Sequence, residues 1–261
     1  MSAVKKNLFL KSGNTTPDPI ATGLKLHWDT TQTSGSGSTG ALTALAGSAT
    51  GDMLDANSVD KTNSSDSDPA GNQGWKFQSG GNTQLRANAS FGTILGSSTS
   101  NYTVEIWAKI TSKQASDSVF HNTYGRPGYS AYSTAQGYII GLYGASGTGL
   151  HQLVKSNSSN TYANIGSALT YGSFAQYVLT AGGSSGSLQI KTYLNGSLDG
   201  TSSISGANFI SDGDFLIGGR YAYTNKSWNG VFRICRVYSS ALTAAEVLNN
   251  YNADKAKFGL S

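Results

Sequence analysis

Acid chemistry in this chain would have to run through very few groups. Its 261 residues contain two glutamates, Glu105 and Glu246. A glycosidic bond is cut by a pair of carboxylates, one protonating the leaving oxygen and the other attacking the sugar or activating water. Glu105 stands in Tyr102-Thr103-Val104-Glu105-Ile106-Trp107-Ala108-Lys109, where its neighbours on the same face are Trp107 and Lys109, so it has no acidic partner. Glu246 closes Thr243-Ala244-Ala245-Glu246, a capping box in which the threonine hydroxyl accepts from the Glu246 amide and the carboxylate reaches back. Asp212 and Asp214 share one strand end and suit a turn. Two other patterns match catalytic motifs in letters only. Residues 182–186, Gly-Gly-Ser-Ser-Gly, have the spacing of a nucleophile elbow, but that turn joins a strand to a helix, and here it falls between two predicted strands. Residues 35–40, Gly-Ser-Gly-Ser-Thr-Gly, have the dinucleotide spacing without the strand-helix-strand unit it needs. His27, His121 and His151 lie far apart and lack zinc-motif spacing. The expectation is a protein that is not an enzyme.

Recognition chemistry is better represented. Tyr124, Arg126, Tyr129 and Tyr132 fall in one loop-like stretch, and Tyr221, Tyr223, Asn225 and Trp228 in another. Aromatic faces beside guanidinium and amide donors suit a sugar, or a protein interface, where Tyr, Trp and Arg are enriched. These eight residues are the candidate ligand or interface set.

The elements that must carry such loops read as strands. From Trp75 onward strand signals come at short intervals. Tyr102, Val104, Ile106, Ala108 and Ile110 form one face of a strand, with Thr103, Glu105, Trp107 and Lys109 on the other. Further strands are predicted over residues 137–143, 152–155, 176–181, 188–194 and 214–218. Asn195-Gly196 suits a two-residue hairpin turn, which needs positive φ at both positions. In residues 231–238, Val231, Arg233, Cys235 and Val237 alternate with Phe232, Ile234, Arg236 and Tyr238, a strand packed on both faces with one arginine on each. After the capping box, Val247, Leu248 and Tyr251 share one helical face and should dock the helix on the body. Residues 41–74 are polar and rich in aspartate, and some of Leu42, Leu45, Met53, Leu54 and Val59 should anchor them, since a structureless loop of that length is uncommon.

Composition narrows the partners. Charged residues make up 12% of the chain, about half the usual share, so Ser, Thr, Asn and Gly must keep the surface wet. The net charge of +4 comes from a shortage of acids, and the bases are scattered. The nearest approach to a cluster is Arg220, Lys226, Arg233 and Arg236, and no nucleic-acid partner is expected. No apolar run is long enough to span a bilayer, so no membrane partner is expected either. Leu8-Phe9-Leu10 is too short for a signal-peptide core. The single cysteine, Cys235, sits in an apolar strand and reads as a buried thiol. Residues 1–22 read as an N-terminal arm. Lys5, Lys6, Leu8, Phe9, Leu10 and Lys11 would anchor it on a partner, ahead of the breaker run Asn14-Thr15-Thr16-Pro17-Asp18-Pro19.

Gly230, Phe232, Arg236, Tyr238, Ala241-Leu242-Thr243 and Glu246, in that order, resemble the closing motif of laminin-G-like, concanavalin A-like jelly rolls, written G-x-I-D-x-x-R-hydrophobic-Y and then A-L-S/T-x-x-E. Upstream, residues 23–29 resemble the opening strand of such domains, Trp75-Lys76-Phe77 the second, residues 102–107 the third, and residues 188–196 the Y-x-N-G hairpin. The ending, residues 249–260, is similar to the tails of such domains in tailed-phage structural proteins. The resemblance implies an all-β fold, a two-sheet antiparallel β-sandwich with a short C-terminal helix, over residues 23–261. Many such domains bind calcium. Here Phe77-Gln78-Ser79 replaces F-D-G and Arg233 replaces the acid of the closing motif, so no cofactor and no metal site are expected, with calcium the one ion left open. The function implied first is a phage virion structural protein, a capsid-decoration or tail-associated component at the virion surface. Its partners would be other virion proteins, and a homo-oligomer is left open. The alternative is a glycan-binding module for host attachment, with a cell-surface glycan as partner, and the second alternative is a glycan hydrolase.

Overall fold

The computed structural model describes residues 17–29, 46–47, 53–55, 74–77, 85–95, 101–112, 117–123, 137–142, 150–155, 160–164, 171–184, 187–205, 214–217 and 229–261. Among them the chain forms strands β1 (Leu24–Asp29), β2 (Ala46–Gly47), β3 (Met53–Asp55), β4 (Trp75–Phe77) and β5 (Leu85–Ser90), then a short helix α1 (Phe91–Leu95). Next come β6 (Tyr102–Ser112), β7 (Asp117–Thr123), β8 (Gly137–Leu142), β9 (Leu150–Lys155), β10 (Asn160–Asn164), β11 (Phe174–Ser184), β12 (Ser187–Leu194), β13 (Ser197–Ser205), β14 (Asp214–Ile217) and β15 (Asn229–Tyr238). The chain closes with helix α2 (Ala244–Asp254), which runs into a 3-10 turn, Lys255–Phe258. The fold is the expected all-β sandwich with one late helix.

The described strands make two antiparallel sheets. One has the order β13-β12-β11-β6-β15-β1-β2, with β4 also pairing β15, and the other has the order β10-β9-β8-β7-β14-β5-β3. The first sheet draws its neighbours from both ends of the chain, since β15 lies between β6 and β1. The anchor expected in residues 41–74 is β3, whose Met53, Leu54 and Asp55 pair with Ala87, Arg86 and Leu85 of β5.

At the centre of the first sheet both faces of β6 are closed off. Val104, Ile106, Ala108 and Ile110 are fully buried on the sandwich side, and Thr103, Glu105 and Trp107 on the other side are equally inaccessible. That second face would be open to water in a simple sandwich. Here α2 and the 3-10 turn cover it: Phe258 stacks on Trp107 with ring centroids 4.4 Å apart and lies 4.9 Å from Phe174, while Tyr251 stacks on Trp107 at 5.8 Å. Burying each large apolar side chain of this kind contributes about 1.5–3 kcal/mol, so the C-terminal segment is part of the core.

Two expectations about this region need correction. The alternation along β15 is not unbroken. Phe232 pairs with Ala108 and Ile234 with Trp107, which leaves Arg233 as the extra residue of a β-bulge. The bulge resets the pleat, so Val231 and Ile234 share the cluster around Trp107 while Phe232, Cys235 and Val237 face the sandwich interior. A Cβ built on Gly74 would meet both Val231 and the Arg233 Cδ, which puts the Arg233 side chain with Val231. The two arginines of the strand therefore belong to one side of the sheet rather than to opposite sides. The docking face of α2 also differs from the apolar stripe expected. Val247 is fully buried but Leu248 is 46% exposed, and the rest of the buried face is Asn250, Ala253 and Asp254. The helix docks through polar groups because the sheet beneath it presents charge.

Candidate functional site

The charged centre of the structure grows out of β6. Glu105 points to the helix-covered face, opposite Arg236 in the register of β15. Its Oε1 accepts from Arg236 Nη1 at 2.9 Å, from Gln176 Nε2 of β11 at 2.9 Å and from Trp107 Nε1 at 3.1 Å. Its Oε2 accepts from Asn250 Nδ2 of α2 at 2.8 Å. Three donors thus converge on Oε1 and one reaches Oε2. Arg236 reaches on to α2, where its Nη2 lies 2.5 Å from Asp254 Oδ2, and Lys257 Nζ lies 2.6 Å from Asp254 Oδ1. Two carboxylates thus face two cations, and Glu105, Arg236, Asn250 and Asp254 are all sealed from solvent.

Both ends of the described chain converge on this cluster. Asn250 Nδ2 also donates to the Tyr238 hydroxyl at 2.9 Å, and its Oδ1 accepts from the Ile20 amide at 2.7 Å. Asn249 Nδ2 donates to the Asp18 carbonyl at 2.8 Å, and Ile20 packs on the cluster of Val178, Tyr193, Tyr238, Leu242 and Val247. Thr103 fixes the turn between β15 and α2, donating to the Ser240 carbonyl at 2.8 Å and accepting from the Leu242 amide at 2.9 Å.

The field inside the cluster follows from burial. Burial works against the Arg236 charge, but Glu105 and Asp254 outweigh it and raise its pKa above the ordinary arginine value. Burial pushes the Tyr238 hydroxyl and the Cys235 thiol up, with Glu105 adding to both. His27, opposite Arg236 in β1, is driven down to about 4, first by burial and then by Arg236.

The sequence-predicted residues divide sharply. Tyr124, Arg126, Tyr129, Tyr132, Tyr221, Tyr223, Asn225 and Trp228 lie outside the described residues, and so do Lys5, Lys6, Leu8, Phe9, Leu10 and Lys11. Glu246 caps α2 as expected: Thr243 Oγ1 accepts from the Glu246 amide at 3.3 Å, and Glu246 Oε2 accepts from the Thr243 amide at 2.8 Å. Residues 182–184 end β11 at a hairpin with β12, so no strand-to-helix elbow exists at Ser184. Arg233, at the position where the calcium-binding pattern has an acid, is 1% exposed. A guanidinium carries donors only and cannot ligate a cation, so this position does not fit calcium, and among the described residues no cluster of His, Cys, Asp and Glu is placed to hold a metal ion. No described helix is long and apolar enough to cross a membrane. Sequence reasoning missed Gln176, Asn250 and Asp254. The available signal was the glutamate of β6 and the two arginines of β15, charges set among apolar neighbours and each needing a buried partner.

The sequence matches the family described as the concanavalin A-like lectin/glucanases superfamily over residues 79–248. A comparison with curated protein sequences finds no match. Among solved structures, a Trypanosoma rangeli sialidase superposes with a TM-score of 0.61 at 15% identity, covering 92% of this chain and 34% of the sialidase. The binding domain of botulinum neurotoxin DC in complex with SialylT gives 0.61 at 14% identity, covering 88% of this chain and 51% of that one. The receptor-binding domain of botulinum neurotoxin type G gives 0.58 at 14% identity with the same coverage, 88% and 51%. This chain therefore spans about a third of the sialidase and about half of the toxin domains, and at such identities the likeness is one of fold. With the family matched over more than half its length and the two-sheet architecture agreeing, the chain belongs to the concanavalin A-like lectin/glucanases superfamily.

Proposed function

We propose that this protein is a glycan-recognition module that binds sugar without cleaving it. The observation that carries the reading is the likeness of its fold to a toxin binding domain solved with SialylT, within a superfamily whose description joins lectins and glucanases. The buried cluster supports the second half of the proposal. Glu105 is held by four donors and sealed from solvent, so it serves the fold and lies out of reach of a substrate. Binding falls to the aromatic stretches that the sequence singles out. The test is a glycan array that includes sialylated structures, probed with the full chain. Saturable binding to a subset is expected, lost in Tyr129→Ala or Trp228→Ala at unchanged Tm, with no reducing ends released. Absence of binding tighter than about 1 mM, roughly −4 kcal/mol, to any glycan would overturn the reading.

A second reading makes the same sandwich a virion structural protein, a capsid-decoration or tail-associated component at the particle surface. It is favoured by the resemblance of residues 249–260 to the tails of phage structural domains. Its partners would be other virion proteins, met through the arm. Mass spectrometry and cryo-electron microscopy of intact particles would find the chain at fixed stoichiometry. Its absence from purified particles would remove this reading and leave the glycan-binding one standing.

A further inference from the structure

We infer that His27 is an acid-sensing element that releases the latch between the C-terminal helix and the sheet. His27 lies in β1 directly opposite Arg236, on the strand that forms the sheet's seam with β15. It is half-buried, and its Nε2 is enclosed without a hydrogen-bond partner. A neutral imidazole tolerates that place, whereas an imidazolium must hold a second charged N–H there with nothing to receive it.

The surroundings make the added charge consequential. From β15, Arg236 faces His27 as a like charge, and Lys257 of the 3-10 turn adds a second. Asp29 of β1 and Asp254 of α2 are the acids that would attract the imidazolium. β2, the other neighbour of β1 in the sheet, brings only Ala46 and Gly47. Asp254 is already engaged by Arg236 and Lys257, and that pairing holds α2 to the sheet. Protonation therefore adds a positive charge to a cluster in which cations and carboxylates already balance. The imidazolium competes for the carboxylate that fastens the helix.

The sign follows from the direction of the shift. His27 ordinarily titrates at 6.5 and in the folded state at about 4. Its contribution to stability is present above the unfolded value and is lost as pH falls from there through the folded one. The same latch carries Ile20 through Asn250, so acid should loosen the N-terminal entry and the C-terminal helix together while the centre of the sheet stays closed.

The experiment is hydrogen exchange of the full chain, read as protection factors for the amides of α2 and β6 at a series of pH values, alongside an NMR titration of the His27 imidazole. In the wild type, protection of α2 should fall between pH 6.5 and 4.5 by about 10- to 100-fold more than in His27→Gln, with β6 unchanged over the same range. The variant keeps Glu105, Asp254 and every other carboxylate, so the difference isolates the imidazole. An equal fall in both proteins would overturn the inference. An imidazole that titrates near 6.5 in the folded wild type would overturn it as well, and that measurement does not depend on the variant folding.

Discussion

At the scale of the residue, a single carboxylate decides how β6, β11, β15 and α2 meet. Glu105 accepts from all of them or their side chains, and its principal partner Arg236 extends the pairing to Asp254. Removing one member of a buried ion pair costs about 3–5 kcal/mol, because the charge left behind is neither solvated nor paired. Glu105→Gln should therefore lower stability by about 3 kcal/mol, checked by urea unfolding. Combining it with Arg236→Met should cost less than the two single changes added together, since the double variant strands no guanidinium. A Glu105→Gln protein with wild-type stability would mean that the carboxylate is not fastening these elements. Of the donors to Glu105 only Trp107, two residues on along β6, is legible from local sequence. Its other three partners lie 71, 131 and 145 residues away along the chain, and only the fold brings them to hydrogen-bond distance. What the sequence does show is the anomaly, a glutamate in β6 and two arginines in β15 set among apolar neighbours.

At the scale of the element, features governed by local rules are legible and those set by a partner are not. The capping box of α2 and the Asn195-Gly196 turn are local: Asn195 and Gly196 adopt φ of 50° and 77°, the positive values a type I′ turn requires. The bulge at Arg233 exists only in the pairing of β15 with β6, and residues 231–238 alternate in letters with or without it. The docking face of α2 is obscured for a related reason. An apolar stripe is recognisable in one helix, whereas Asn250 and Asp254 count as docking residues only once Glu105 and Arg236 lie beneath them. The turn and the helix also touch. A Cβ on Gly196 would stand 3.0 Å from both Leu248 Cδ1 and Tyr251 Cβ. Gly196→Ala should thus combine a left-handed backbone penalty of about 1–2 kcal/mol with a displaced helix. Thr243→Ala should cost about 1 kcal/mol through the lost cap alone. Thermal unfolding ranks the two, and a milder effect at Gly196 than at Thr243 would contradict the contact between hairpin and helix.

At the scale of the whole molecule, the sandwich is closed by its two ends, and this changes what an arm deletion should do. The sequence places an arm over residues 1–22, yet Asp18 and Ile20 are bonded to α2 and Ile20 packs on a core cluster. Deleting residues 2–16 removes Lys5, Lys6, Leu8, Phe9, Leu10 and Lys11 while leaving those contacts in place, so Tm should stay close to that of the full chain. Deleting through Thr22 strips a partly buried isoleucine and leaves Asn250 Oδ1 without its donor. The combined cost of lost burial and an unsatisfied buried acceptor is about 2–4 kcal/mol. If the chain is a virion component anchored by its arm, the shorter deletion alone should abolish incorporation into particles. Raised salt should then weaken attachment of the intact chain in part, because exposed charge contacts are screened beyond about 8 Å at physiological ionic strength. A glycan-recognition module forecasts the reverse: the shorter deletion leaves sugar binding intact, and only the aromatic substitutions remove it. A shorter deletion that keeps its Tm and still loads onto particles at normal stoichiometry would rule out anchorage by the arm, and the attachment surface would then have to be sought on the tyrosine-rich stretches around Tyr129 and Trp228.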